Sequence, residues 1–393
     1  MTVVIQILFV LSVVLLGYHY VGFPFLLKIL SKGKSNPEMV FSGDDLLPKV
    51  SILLAAFNEV DVIKQKIESS FLTNYPADKL EMLIGSDASN DGTDEMIKDY
   101  QKKFPGLKFT RFKGRTGKPN IINALEKKAQ GDILILTDAN VFFEKNTIFE
   151  LVKYFKSNSI GLVGGNILNY NIKRDGISAQ EGKYLSLENQ MKYQEGVLWG
   201  TMIGAFGGMF SIRKSEFRDV PDNFIGDDLF WTLQVIQNNK DAINNLDAIA
   251  YEDVSNELKE EFNRKKRIAI GNFQNLNFFK SLIISKRVGA SFSFVSHKVI
   301  RWFGPWLLLI TLFSNLWLVL SGLGQIYELT LLGQMFVYSV PLVDLIFGKL
   351  GIHFKILRFI RHFLGMNIAL MAGMFSYIKG VESNVWTPTE RNQ

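Results

Sequence analysis

"ILILTDANVFF" (residues 133–143) is an apolar run that breaks on an Asp-Ala-Asn triplet and then resumes. β-Favouring residues followed by Asp138 and Asn140 describe a buried strand that delivers polar groups at its end. A second carboxylate two residues after Asp138 would complete a simple clamp for a divalent cation, but that place is held by Asn140. Three readings stay open on these residues alone: a metal site weakened by one charge, a site of another kind, or only the end of a strand.

The segments on either side repeat the pattern. "VSILLAAF" (50–57), "LEMLIGSD" (80–87), "LKFTRF" (107–112) and "DILILT" (132–137) read as strands. Between them, "NEVDVIKQKIESSFL" (58–72), "DEMIKDYQKKF" (94–104) and "KPNIINALEKKA" (118–129) have helical spacing, the last with proline in its first turn. Strand–helix alternation with strands apolar on both faces predicts an α/β fold with a mostly parallel sheet, covered on both sides. Ligands of such sheets sit at the carboxyl ends of the strands. Polar residues gather there: Asn58 and Glu59, Asp87 with Asp91, and Asp138 with Asn140. Asn58 also suits a helix cap, and "SNDGT" (89–93) also suits a plain turn.

Several devices are missing from the sequence. No Gly-x-Gly-x-x-Gly follows a strand, and "GRTGKP" (114–119) lacks the spacing of a phosphate-binding P-loop. With no cysteine among 393 residues, disulfides, thiolate zinc sites and cysteine nucleophiles are excluded. The net charge is +6, with basic residues around 259–287 interleaved with aromatics. No nucleic-acid motif accompanies them, and anionic lipid headgroups explain them, so membrane lipids are expected partners and nucleic acid is not.

Hydrophobic residues make up 47% of the chain and are concentrated at its ends. Residues 1–27 carry no Asp, Glu, Lys or Arg, and a second charge-free run spans Trp302 to Tyr327. Weaker apolar stretches follow at about 329–348 and 363–378. A bilayer core needs roughly 20 apolar helical residues. The first run lacks a basic leader and a small-residue cleavage pattern, so it reads as a retained anchor. Lys28, Lys32 and Lys34 follow it and place the middle of the chain in the cytoplasm. The expected organisation is an anchor at 1–30, a catalytic domain at 48–255, amphipathic interfacial helices at 256–295, a membrane region of about three segments at 296–380, and a tail at 381–393. The last apolar segment reads either as a span or as an interfacial helix.

The ordered set "AAFNE" (55–59), "SDASNDGT" (86–93), "RTGKPNIINA" (115–124), "TDAN" (137–140), "GAFGGMFSIRK" (204–214), "GDDLFWTLQV" (226–235) and "RKKRIAIGNFQ" (264–274), closed by "WTPTER" (386–391), resembles the membrane-anchored branch of the family 2 inverting glycosyltransferases with the GT-A fold. The resemblance implies a hexosyltransferase-type enzyme that uses a nucleoside-diphosphate sugar, most commonly a UDP-sugar. Ala56, Asn58, Glu59, Asp87 and Lys118 would bind the nucleotide, and Asp138 with Asn140 would meet the diphosphate and a weakly held Mg²⁺ or Mn²⁺. Gly207 and Gly208 would lie on the acceptor side. Asp228 would be the general base, with Asp227 beside it.

Arg264 and Arg267, three apart on one helix face, would clamp the diphosphate or contact lipid headgroups. Acids at 227–228 also suit a helix N-terminus for its dipole alone. Arg264 stands where the family usually has Gln, and Ile268 replaces its Trp. That departure favours single-sugar transfer to a lipid-linked or polysaccharide acceptor at the plasma (inner) membrane over processive exopolysaccharide synthesis. An inactive scaffold on the same fold would be expected to lack Asp228. Other proteins of envelope-glycan synthesis are expected partners.

Overall fold

The computed structural model describes residues 1–42, 45–170, 178–253, 258–381 and 383–385. The tail motif at 386–391 lies outside the described residues. Chain order begins with α1 (Thr2–Gly17) and α2 (Phe23–Leu30), joined by a π-helical turn (Tyr18–Gly22) into one continuous helix. The soluble domain then runs β1 (Val50–Ala56), α3 (Val60–Phe71), β2 (Leu80–Ser86), α4 (Thr93–Lys103), β3 (Leu107–Arg111), α5 (Lys118–Glu126), β4 (Ile133–Thr137), β5 (Val141–Phe143), α6 (Thr147–Val152), β6 (Ile160–Tyr170), α7 (Ser178–Trp199), β7 (Met209–Arg213), α8 (Asp227–Gln237) and β8 (Asp241–Asp253). It is followed by α9 (Leu258–Phe278), α10 (Val288–Ser293), α11 (Ile300–Trp302), α12 (Gly304–Leu320), α13 (Gln325–Lys349) and α14 (Lys355–Lys379).

The eight strands form one mixed α/β sheet in the order β3-β2-β1-β4-β7-β6-β8-β5. β3, β2, β1 and β4 are parallel, as the apolar strands with intervening helices predict. Side chains alternate between two cores. Val50, Ile52 and Leu54 face α3, α4 and α6 with Ile63, Ile67, Ile97 and Leu151, while Leu53, Leu134 and Leu136 face α5 and α8 with Ile121, Leu125 and Trp231. Both faces being covered explains why these strands show no polar alternation.

β7 is antiparallel to β4 and β6, and its first residue, Met209, pairs with Thr137, the last residue of β4. The segment entering β7 and the segment leaving β4 therefore lie side by side. That topology, invisible in the local pattern, brings Gly208 to Asp138.

Two helices, Thr2–Leu30 and Gln325–Lys349, are long and apolar enough to cross a membrane, and Val288–Trp302 with Gly304–Leu320 make a third, broken candidate bent by 61°. The π-helical turn in the first helix faces a second π-helical turn at Phe294–Val299. Tyr18 and Ser296 share a hydroxyl hydrogen bond of 2.8 Å, and His19 Nδ1 bonds the Ser296 carbonyl at 2.9 Å. Phe23 and Leu27 pack on Met191 of α7. α14, with Lys355, Arg358, Arg361 and Lys379, packs along α9, where a Cβ on Gly373 would stand 2.4 Å from that of Ala269.

Candidate active site

The site is assembled at the carboxyl ends of β1, β2 and β4. Asp138 follows β4 directly, and its backbone N–H donates to the Gly208 carbonyl at 3.3 Å. The Thr137 hydroxyl donates to the same carbonyl at 2.8 Å. A Cβ on Gly208 would meet Val141 at 3.0 Å and Ile167 at 2.9 Å, so only glycine allows this approach. Lys118, in the first turn of α5, donates to Asp138 Oδ1 at 2.6 Å and to the Gly207 carbonyl at 3.3 Å. Burial pushes the Lys118 ammonium down, but Asp138, Asp227 and Asp228 outweigh that and hold it above its ordinary value.

On the β1–β2 side, the fully buried Asp87 carboxylate accepts Arg115 Nε at 3.1 Å and the Thr116 and Gly117 amides, the latter at 3.3 Å. Arg115 also lies 3.3 Å over the Phe57 ring. Asp87 thereby fixes the loop that presents Lys118. The Ala56 carbonyl accepts the Asp87 amide at 2.8 Å.

Asn58 does not cap α3, one of its two readings from sequence. It takes φ +53°, its Oδ1 accepts the Asn90 amide at 3.0 Å, and its own amide donates to Ser89 at 3.1 Å, tying the two loops together. The cap of α3 comes from the neighbouring loop. Thr93 accepts the Glu59 amide at 2.8 Å and Asp91 accepts the Val60 amide at 3.1 Å. Hydrogen bonds from Thr93 and Val60 outweigh burial and hold Asp91 below the usual carboxylate range, so Asp91 is occupied in building the turn.

Asp227 and Asp228 open α8 behind Gly226, which takes a left-handed φ of +83°. Burial, with Asp227 adding to it, raises Asp228 above the ordinary aspartate value, while the Leu229 amide, Lys118 and Lys192 oppose the rise. A Cβ on Gly207 would lie 3.2 Å from Asp228 Oδ2, so the glycine turn is the wall against which this carboxylate sits.

α9 is held over the same site by Gly271, packed against Gly226, and by Asn275 and Gln274, which donate to the Gly226 and Asn223 carbonyls at 3.0 and 2.9 Å. One turn before Gly271, Arg267 is exposed to solvent. The surrounding walls and Arg264 hold its guanidinium below the ordinary value, against the attraction of Asp138, Asp227 and Asp228. Arg264 pairs with Glu261 at 3.4 Å. The Gly207–Gly208 turn thus links the Asp138–Lys118 pair to Asp228, with Asp227 beside it at the start of α8.

Three residues escape sequence reasoning. Lys66, on α3, is fully buried and donates to Thr137 Oγ1 at 2.8 Å and the Val141 carbonyl at 2.6 Å, bracketing the Asp-Ala-Asn turn. Lys192, on α7, is buried 3.1 Å over the Phe206 ring. Asn384 packs against Gly117 from the far end of the chain. Lys66 lies between Ile63 and Ile67 on the apolar stripe of α3, a signal the spacing carried.

Among the described residues no cluster of three or more His, Asp or Glu is arranged for a metal. The donor set nevertheless fits an ion bridged to a ligand's phosphates. Asp138 retains Oδ2, and Asn140 donates its amide N–H to Glu252 at 3.2 Å, which leaves its oxygen to coordinate. Mg²⁺ and Mn²⁺ are commonly held by one or two protein oxygens, with phosphates and water completing the shell.

An α/β sheet with acids at its carboxyl edge and an antiparallel strand feeding a glycine turn into them has the GT-A-like architecture. The mannosyltransferase PcManGT from Pyrobaculum calidifontis, solved with GDP-Man and Mn²⁺, superposes with a TM-score of 0.66 over 94% of this chain and 99% of its own, at 18% identity, a likeness of fold. Residues 51–220 match the model of Glycosyl transferase family 2, and the chain carries a glycosyltransferase domain of that family. It is 27% identical over 205 residues to the poly-beta-1,6-N-acetyl-D-glucosamine synthase of Staphylococcus epidermidis, covering 52% of this chain and 48% of that one. It is 25% identical over 253 residues to the beta-monoglucosyldiacylglycerol synthase of Trichormus variabilis, covering 62% and 53%. The chain spans about half the length of these curated relatives.

Proposed function

We propose that the protein is an inverting hexosyltransferase that moves a sugar from a nucleoside-diphosphate sugar, most commonly a UDP-sugar in this family, to a lipid-linked or membrane-proximal glycan. The observation that carries this reading is the placement of the Asp228 carboxylate against the Gly207–Gly208 turn, opposite the Asp138–Lys118 pair. Asp228 takes the proton of the acceptor hydroxyl, and its raised basicity suits that task. Lys118, Arg264 and Arg267 meet the negative charge that develops on the leaving diphosphate. Asp138 and Asn140 would hold a divalent cation, which would supply Lewis-acid neutralisation of the same phosphates. Glu59, Asp87 and the loops they brace receive the nucleotide. Ile268 in place of an aromatic on α9 supports single transfer.

The apolar Thr2–Leu30 and Gln325–Lys349 helices and the broken pair between them support a multi-pass protein of the plasma membrane with the catalytic domain on the cytoplasmic side. A panel of UDP-N-acetylglucosamine, UDP-glucose and GDP-mannose, with detergent-solubilised protein, membrane-lipid acceptors and Mg²⁺ or Mn²⁺, tests the reading through nucleotide release. Asp228→Asn is expected to abolish transfer while nucleotide binding persists. Full activity in that variant would remove Asp228 as the base, and long products from a single sugar nucleotide would establish polymer synthesis instead.

A further inference from the structure

Lys192 is a buried ammonium that the reaction as described does not use. It is 2% exposed, and its Nζ lies 3.1 Å from the centre of the Phe206 ring. Three carboxylates act on it: Glu188 and Glu195 from its own helix and Asp228 from α8, while Lys298 repels it from the π-helical turn at Phe294–Val299. Two of the three carboxylates are already engaged. Glu188 binds Arg301, Lys298 and His297, and Glu195 binds His297 at 2.9 Å and the Ile203 amide at 3.1 Å. The third, Asp228, takes one backbone amide, Leu229 at 2.8 Å, and abuts the Gly207 that follows Phe206.

The segment 203–208 is the wall these groups share. Glu195 holds its start, and the Ala205 amide donates to Thr232 Oγ1, whose own hydroxyl donates to the Asp228 carbonyl. The charges of Asp227 on its own helix, Lys118 on α5 and Lys192 on α7 act on Asp228, and Arg267 on α9 is drawn to the same carboxylates. Lys118 and Arg267 stand on the donor side, where a diphosphate competes for them. Lys192 lies instead against Phe206, the residue before the glycine that abuts Asp228.

We propose, resting on Asp228 as the base, that Lys192 is a positioning residue which keeps the Asp228 carboxylate ionised on the acceptor side once the diphosphate has engaged the donor-side cations. Burial, reinforced by Lys298, lowers the Lys192 ammonium to about 7, so below that pH it carries the positive charge that favours the ionised Asp228.

The test is the pH dependence of kcat/KM for nucleotide release from the sugar nucleotide selected above, with the full chain in detergent. Lys192→Met and Lys192→Gln are expected to move the acid limb upward, losing about tenfold at its acid end with little change at high pH, and Lys192→Arg to leave it in place. Unchanged UDP affinity confirms that each variant is folded, and Gln serves if Met does not fold. An acid limb in the Met or Gln variant that coincides with the native one overturns the proposal. Asp228→Asn separates the two ideas, because inactivity there alongside an unmoved limb in Lys192→Met leaves the base intact and removes only Lys192.

Discussion

Lys118 Nζ lies 2.6 Å from Asp138 Oδ1, so the carboxylate expected to face a divalent cation already has one cation against it. A single ammonium satisfies one oxygen and leaves Oδ2 for a second ligand. Removing Lys118 takes away a charge-assisted hydrogen bond of about 2 kcal/mol, roughly thirtyfold in an equilibrium constant. Lys118→Met is therefore expected to weaken UDP binding by about that factor, read by calorimetry. Affinity within twofold of the native protein would exclude Lys118 from the nucleotide site.

Asn140 offers a neutral oxygen where a carboxylate would add charge attraction. Asn140→Asp is expected to lower the Mn²⁺ concentration for half-maximal activity by about tenfold, and to tighten Mn²⁺ binding measured by paramagnetic relaxation. An unchanged metal requirement would remove position 140 from the ligand set.

Asp227 Oδ2 is buried with no hydrogen-bond partner among the described residues, and the Asp227 charge helps raise Asp228 after burial itself. For a carboxyl raised in the folded state, stability is lost as pH rises from the unfolded value through the folded one. Asp227→Asn is expected to lower the acid limb of kcat/KM and to raise the thermal midpoint at neutral pH. The gain should vanish below the ordinary aspartate value, where Asp228 is protonated in either state. A midpoint that rises equally at pH 3 and pH 7 would show the effect is not electrostatic.

A methyl on Gly207 would sit 3.2 Å from Asp228 Oδ2, closer than ordinary contact. Gly207→Ala is expected to reduce kcat by roughly a hundredfold, since small displacements of reacting groups are costly, with donor KM and folding preserved. An unchanged kcat would mean that the base has room to move.

The sequence by itself determined the first strands and helices of the sheet and offered the candidate residues of the site. Its strands at 50–57, 80–87, 107–112 and 132–137 appear at Val50–Ala56, Leu80–Ser86, Leu107–Arg111 and Ile133–Thr137, because an apolar run covered on both faces declares itself without reference to its neighbours. Asp87, Asp138, Asp227 and Asp228 were legible because they end strands or begin helices. Tertiary structure alone decided which of these groups meet. The reversal of β7 sets Gly208 on Asp138, the crossing of Gly271 over Gly226 swings Arg267 above the acids, and the burial of Lys66 and Lys192 turns two ordinary lysines into supports of the site. Local pattern encodes which face of an element is apolar. It does not encode which elements are adjacent, and for a buried lysine adjacency is the difference between a solvated charge and one held by a specific partner.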